Sequence, residues 1–67
     1  MIAITVNGQP REIPDRMSVA ALVEELGFAG KRVAVERNGE IVPRSLHPQA
    51  QLAADDALEI VVAVGGG

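Results

Sequence analysis

Apolar and polar positions alternate from the start of the chain: Ile2, Ile4 and Val6 are separated by Ala3 and Thr5. That two-residue period suits a strand with one buried face. Asn7-Gly8 follows at once, and this dipeptide readily adopts the positive φ angles of a tight hairpin turn. The pattern predicts a second strand around Arg11–Ile13, ended by Pro14-Asp15, with Pro10 restricting it to an edge or a late start. After Ser18 the period changes. Val19, Leu22, Val23 and Leu26 fall at i, i+3, i+4 and i+7, one apolar stripe along a helix. Ser18 is a good N-cap, and Met17 is placed to pack on Leu22 as a staple. Gly27 suits the left-handed position beyond the last turn, with Phe28 reaching back to Val23. Glu24 and Glu25 oppose the helix dipole, at about 0.3–1 kcal/mol each if exposed. The stripe and the caps outweigh that.

A second hairpin is signalled by Val33-Ala34-Val35-Glu36-Arg37, the turn Asn38-Gly39, and Glu40-Ile41-Val42 before Pro43. The stretch from Arg44 to Ala57 is mainly polar. Leu46 and Leu52 are expected to plug into the core from it, Phe28 joins that core, and Asp55-Asp56 reads as a turn. Leu58-Glu59-Ile60-Val61-Val62-Ala63-Val64 places Leu58, Ile60, Val62 and Val64 on one face, and so apolar a run suggests a central strand. The order is ββαββ, a loop, then β. One helix with one apolar stripe covers one face of a four- or five-stranded sheet. The hairpins are antiparallel, while the first and last strands can pair in parallel through the long crossover. This is an α+β, β-grasp layout: a mixed sheet with one main helix on one face. The domain is expected to span 1–64, with 65–67 as a flexible glycine tail.

Composition narrows the function classes. With 67 residues there is room for one small domain, and 48% hydrophobic residues supply a core. The absence of Cys excludes disulfides and Cys-ligated zinc, and His47 alone cannot hold a metal. Nine acids against six bases, a net charge of −3, argue against gripping nucleic acid. No apolar run approaches 18 residues, so no membrane span is expected. Met1-Ile2-Ala3-Ile4-Thr5 lacks the basic start of a signal peptide, which predicts a soluble cytoplasmic domain. His47, before Pro48 in a polar loop, is expected to be solvated or to cap a turn. The acids read as scattered over the surface. With no nucleophile beside a base, the domain is not expected to be a catalyst.

Gly65-Gly66-Gly67 follows directly on the last strand. A glycine end on a domain of this order, together with Asn38-Gly39-Glu40-Ile41-Val42-Pro43-Arg44, resembles the ubiquitin-like sulfur carriers of the ThiS family, over essentially the whole chain. The working Gly-Gly of that family falls on Gly66 and Gly67. The resemblance implies a chemistry for Gly67. Its α-carboxylate is ionised at neutral pH and a poor electrophile, so it must be activated. A ubiquitin-activating-type adenylyltransferase would consume ATP to adenylate it, and sulfur from a donor enzyme would replace AMP. The resulting thiocarboxylate would donate sulfur to a thiazole synthase. The chain itself is expected to bind no cofactor. Glycine suits such a terminus because it has no Cβ to clash in a narrow channel.

A tail of three glycines costs roughly 1–2 kcal/mol per residue to order, so the body of the domain should dock as well. Alternation places Val61 and Ala63 on the outer face of the last strand, with Ala34 beside them, a candidate partner patch that Gly65 adjoins. Lys31, Arg32, Arg37 and Arg44 form the one basic-rich region and could steer acidic partners. Three other readings compete: a carrier for molybdopterin synthesis, which shares fold and glycine end; a ubiquitin-like protein modifier; and a plain β-grasp interaction domain. Length and the Asn38–Arg44 stretch favour the thiamine-type carrier.

Overall fold

The computed structural model describes residues 1–63. Its elements are β1 (Ile2–Val6), β2 (Gln9–Ile13), α1 (Val19–Glu25), β3 (Val33–Arg37), β4 (Glu40–Val42), a single 3-10 turn (Arg44–Leu46) and β5 (Ala57–Val62). The five strands form one sheet in the order β2-β1-β5-β3-β4. Neighbours are antiparallel except β1 and β5, which run parallel with Thr5 opposite Ala57 and Val6 opposite Leu58. The β-grasp arrangement expected from the pattern is the one observed, with β5 central and β2, which carries Pro10, at an edge. Val64 lies outside the described residues.

Local chemistry explains why these elements start and stop where they do. Asn7 and Gly8 have φ of 52° and 82°, and Asn38 and Gly39 have 52° and 85°. Both hairpins thus turn through two consecutive left-handed residues, the conformation that matches strand twist. At the start of α1 the Ser18 side chain accepts from the Ala21 amide at 3.0 Å. The amides of Val19 and Ala20 donate to the carbonyls of Ala50 and His47. The crossover loop therefore completes the helix cap, satisfying amides that a helix leaves unpaired. At the other end the Phe28 amide bonds the Val23 carbonyl and the Gly27 amide bonds that of Glu24, with Gly27 at φ 85°. This is the Schellman motif expected from Gly27-Phe28.

The core between helix and sheet comprises Ile4, Ile13, Val19, Leu22, Val23, Val35, Leu52, Leu58 and Ile60. Met17, Leu26 and Phe28 pack at its margin, so Phe28 is half-buried rather than central. The loop departs from expectation at one step. Leu46 is not a core plug; it is 45% exposed, and His47 takes the inward place at 6%. His47 is thus not solvated: its Nε2 lies 3.0 Å from the Val42 carbonyl, closing the 3-10 turn. A turn with three residues per revolution swings successive side chains through about 120°, so Leu46 and His47 cannot both face inward. The imidazole has a carbonyl partner there, which removes most of the cost of burying it.

Candidate functional site

The candidate site is the C-terminal end of β5 and the sheet face away from α1. Strand β5 is gripped on both sides by the two hairpin tips. On the β1 side, the Asn7 amide bonds the Leu58 carbonyl at 2.8 Å. The Asn7 side chain then copies a peptide group, donating to the Ile60 carbonyl at 3.1 Å and accepting from the Ile60 amide at 2.8 Å. On the β3 side, the Asn38 amide donates to the Ala57 carbonyl, and the Ala57 amide donates to Asn38 Oδ1. Five residue pairs follow, ending with Val33 opposite Val62, and the Ala63 amide donates to the Arg32 carbonyl at 2.8 Å. Asparagine at these turns therefore has two tasks. It tolerates φ > 0, and its carboxamide extends the ladder where the partner strand has turned away.

Alternation along β5 and β3 sets the composition of the outer face. Leu58 and Ile60 point into the core, leaving Val61 62% exposed. Ala34 lies directly opposite Val61 and is exposed, as is Ala63. The structure thus brings Val61, Ala63 and Ala34 together where β5 ends. It adds a residue the sequence reading passed over: Ile41, also 62% exposed, sits across from Glu36 on the same face. Period-two alternation within Glu40-Ile41-Val42 was the available signal. Gly65, Gly66 and Gly67 lie outside the described residues.

The basic-rich region does not act as one group. Arg37 is partly buried and engaged, its Nε 2.8 Å from Asp56 Oδ2. Asp56 is 5% exposed, so the acids are not all at the surface. Its Oδ2 also accepts from the Ala53 amide at 2.8 Å, and its Oδ1 accepts from the Asn38 side chain at 3.0 Å. Three donors converge on one carboxylate at the tip of the β3–β4 hairpin and tie that tip to the start of β5. Among the described residues, no group of three or more His, Asp or Glu side chains could hold a metal ion. No helix there is long and apolar enough to cross a membrane.

Comparison with known proteins supplies what geometry leaves open. The model of the ThiS family matches residues 4–67. The chain belongs to the ThiS family. The match agrees with the resemblance expected over essentially the whole chain. The crystal structure of the thiamine biosynthesis protein ThiS from Geobacter metallireducens superposes with a TM-score of 0.82 at 32% identity, covering 98% of this chain and 100% of that one. A thiazole synthase from Paramagnetospirillum magneticum is 47% identical over 64 residues, 96% of this chain. Only 20% of that protein's length is involved, so the chain spans about a fifth of the curated thiazole synthases it matches. An uncharacterized protein, ycf40, of Pyropia yezoensis is 38% identical over 66 residues and 93% of its own length.

Proposed function

We propose that this ThiS-family chain carries sulfur as a thiocarboxylate on Gly67. The observation that carries the reading is the family match running through residue 67, directly behind a strand whose outer face is apolar at its end. The Gly67 carboxylate attacks ATP in a ubiquitin-activating-type adenylyltransferase, releasing pyrophosphate and giving an acyl adenylate. Hydrosulfide-level sulfur, released by a donor enzyme, attacks the carbonyl carbon, a C–S bond forms, the C–O bond to AMP breaks and AMP leaves. Beyond that carboxylate, this chain contributes no acid, base or nucleophile to those steps. It contributes a carboxylate, glycines without side chains to obstruct it, and a body that docks through Val61, Ala63 and Ala34. ATP belongs to the partner.

Thiazole synthase is the proposed sulfur acceptor. Two thiazole synthases carry, within a fifth of their length, a segment similar to nearly all of this chain. A carrier held on the same polypeptide as its acceptor has a high effective concentration there, a gain available only if the two meet. The test is the intact mass of the chain after incubation with ATP, a sulfur source and the adenylating enzyme. An increase equal to exchange of one oxygen for one sulfur, lost on omission of ATP, is expected. An unchanged mass overturns the proposal, and isopeptide adducts on other proteins would point to a modifier instead.

A further inference from the structure

On the outer face, one row further from the end of β5 than the Ala34–Val61 pair, Glu36 lies directly opposite Glu59. Like charges facing each other across a ladder destabilise a sheet. These two are on the neighbouring strands β3 and β5, so register holds them together. Neither carboxylate joins an ion pair among the described residues. Arg32, just before β3, is four residues from Glu36, about 13 Å along an extended chain. Ile41 flanks Glu36 on the other side, 62% exposed. The arrangement is a pair of uncompensated carboxylates set between exposed apolar side chains: Ala34 and Val61 toward the strand end, Ile41 toward the sheet edge.

An apolar partner surface alone would bury both carboxylates without compensation, which costs more than the apolar contact returns. Phosphate-bearing partners are repelled by the same pair. What fits is one guanidinium. Its planar fork can donate to both carboxylates, and its aliphatic stem can lie along Val61 and Ala34, about 7 Å away by the spacing of two residues on a strand. A lysine ammonium lacks the fork. We propose that the Glu36–Glu59 pair is the specificity determinant of the outer face, selecting a protein partner that presents an arginine beside an apolar contact. The inference rests on the reading of thiazole synthase as acceptor, and it assigns that arginine to the thiazole synthase.

Glu36→Gln, Glu59→Gln and the double variant separate charge from shape, because each keeps the size of the side chain. Binding to the purified thiazole synthase of the same organism is measured by calorimetry at low and high salt, alongside thermal unfolding of each free variant. Each single variant should bind about tenfold weaker, as expected for loss of one charge-assisted contact. The double variant should lose most of the salt dependence shown by the parent, while unfolding no earlier than the parent because the like-charge repulsion is gone. If the parent binds and the double variant binds equally well, the inference fails and the acceptor reading stands. A parent that does not bind thiazole synthase at all overturns the acceptor reading and this inference with it. A double variant that unfolds well below the parent shows that the pair supports the sheet, and that too overturns the inference.

Discussion

Removing the carboxylate of Asp56 tests how the end of the crossover loop is held. In the native protein three donors meet it: Arg37 Nε and the Ala53 amide at 2.8 Å, and Asn38 Nδ2 at 3.0 Å. Asp56→Ala leaves a partly buried guanidinium, a carboxamide and a backbone amide without their acceptor. Hydrogen bonds to charged groups contribute about 1.5–3 kcal/mol each but do not add, and breaking a buried pair from one side costs about 3–5 kcal/mol. A chain of this length has a total stability of about 3–10 kcal/mol. Asp56→Ala should therefore remove a third or more of it, moving the urea midpoint by about 2–3 M for a slope near 1.5 kcal/mol per M. Arg37→Ala should cost less, about 1–2 kcal/mol, because Asp56 keeps two of its three donors. Equilibrium urea unfolding of both variants and the double mutant measures the coupling. An Asp56→Ala loss below about 1 kcal/mol, or one no larger than that of Arg37→Ala, would refute a convergent network centred on this carboxylate.

Other substitutions probe the remaining parts. Leu22→Ala, at a fully buried position, should cost about 2–5 kcal/mol in the same unfolding assay. Asn7→Ala loses both bonds to Ile60 and puts alanine, which tolerates the left-handed region less well than asparagine, at φ 52°, so a loss of about 2–3 kcal/mol is expected. Val61→Asp should leave thermal unfolding nearly unchanged, since the side chain faces outward, and weaken binding to the adenylating enzyme about tenfold or more by calorimetry. Gly66→Val should support ATP–pyrophosphate exchange about 100-fold more slowly, because added bulk displaces the reacting carbon in the enzyme's channel.

Where a structural instruction was carried by neighbouring residues, the sequence could be read directly. Each Asn-Gly sits between two strand-like runs, Ser18 precedes the apolar stripe, and Gly27-Phe28 closes it, so both hairpins and α1 were legible. The burial of β5 on both edges followed from its apolar run. The Asp56 network was not legible, because its partners Arg37 and Asn38 are 19 and 18 positions away and meet it only when β3 and β5 pair. Leu46 and His47 exchanged places for a related reason. Hydropathy favours leucine inside, but the phase of a three-residue turn and the Val42 carbonyl decide the matter. At the candidate site, Val61, Ala34 and Ala63 came from alternation, and the same rule applied to a three-residue strand would have added Ile41. The facing of Glu36 and Glu59 needed the register, which no single strand encodes.

The anchoring of β5 bears on how a glycine terminus can be presented with accuracy. Only two residue pairs join β5 to β1, so that side alone would hold the strand end poorly. The Asn7 carboxamide carries the ladder on to Ile60, and β3 carries it to Ala63 on the other side. The Val61–Ala34 patch is therefore fixed relative to the last residue of the ladder. From Ala63, four residues reach at most about 14 Å to Gly67, at 3.3–3.6 Å each. In the proposed function, a partner that seats the patch thus confines the Gly67 carboxylate to a small volume before making any contact with it. Ordering three glycines costs about 3–6 kcal/mol. Covering Val61 and Ile41, each more than half exposed, contributes about 2–4 kcal/mol, and pairing the two carboxylates with an arginine adds to that. The two amounts are comparable, so the proposed function requires the sheet face and the glycine terminus to be recognised together.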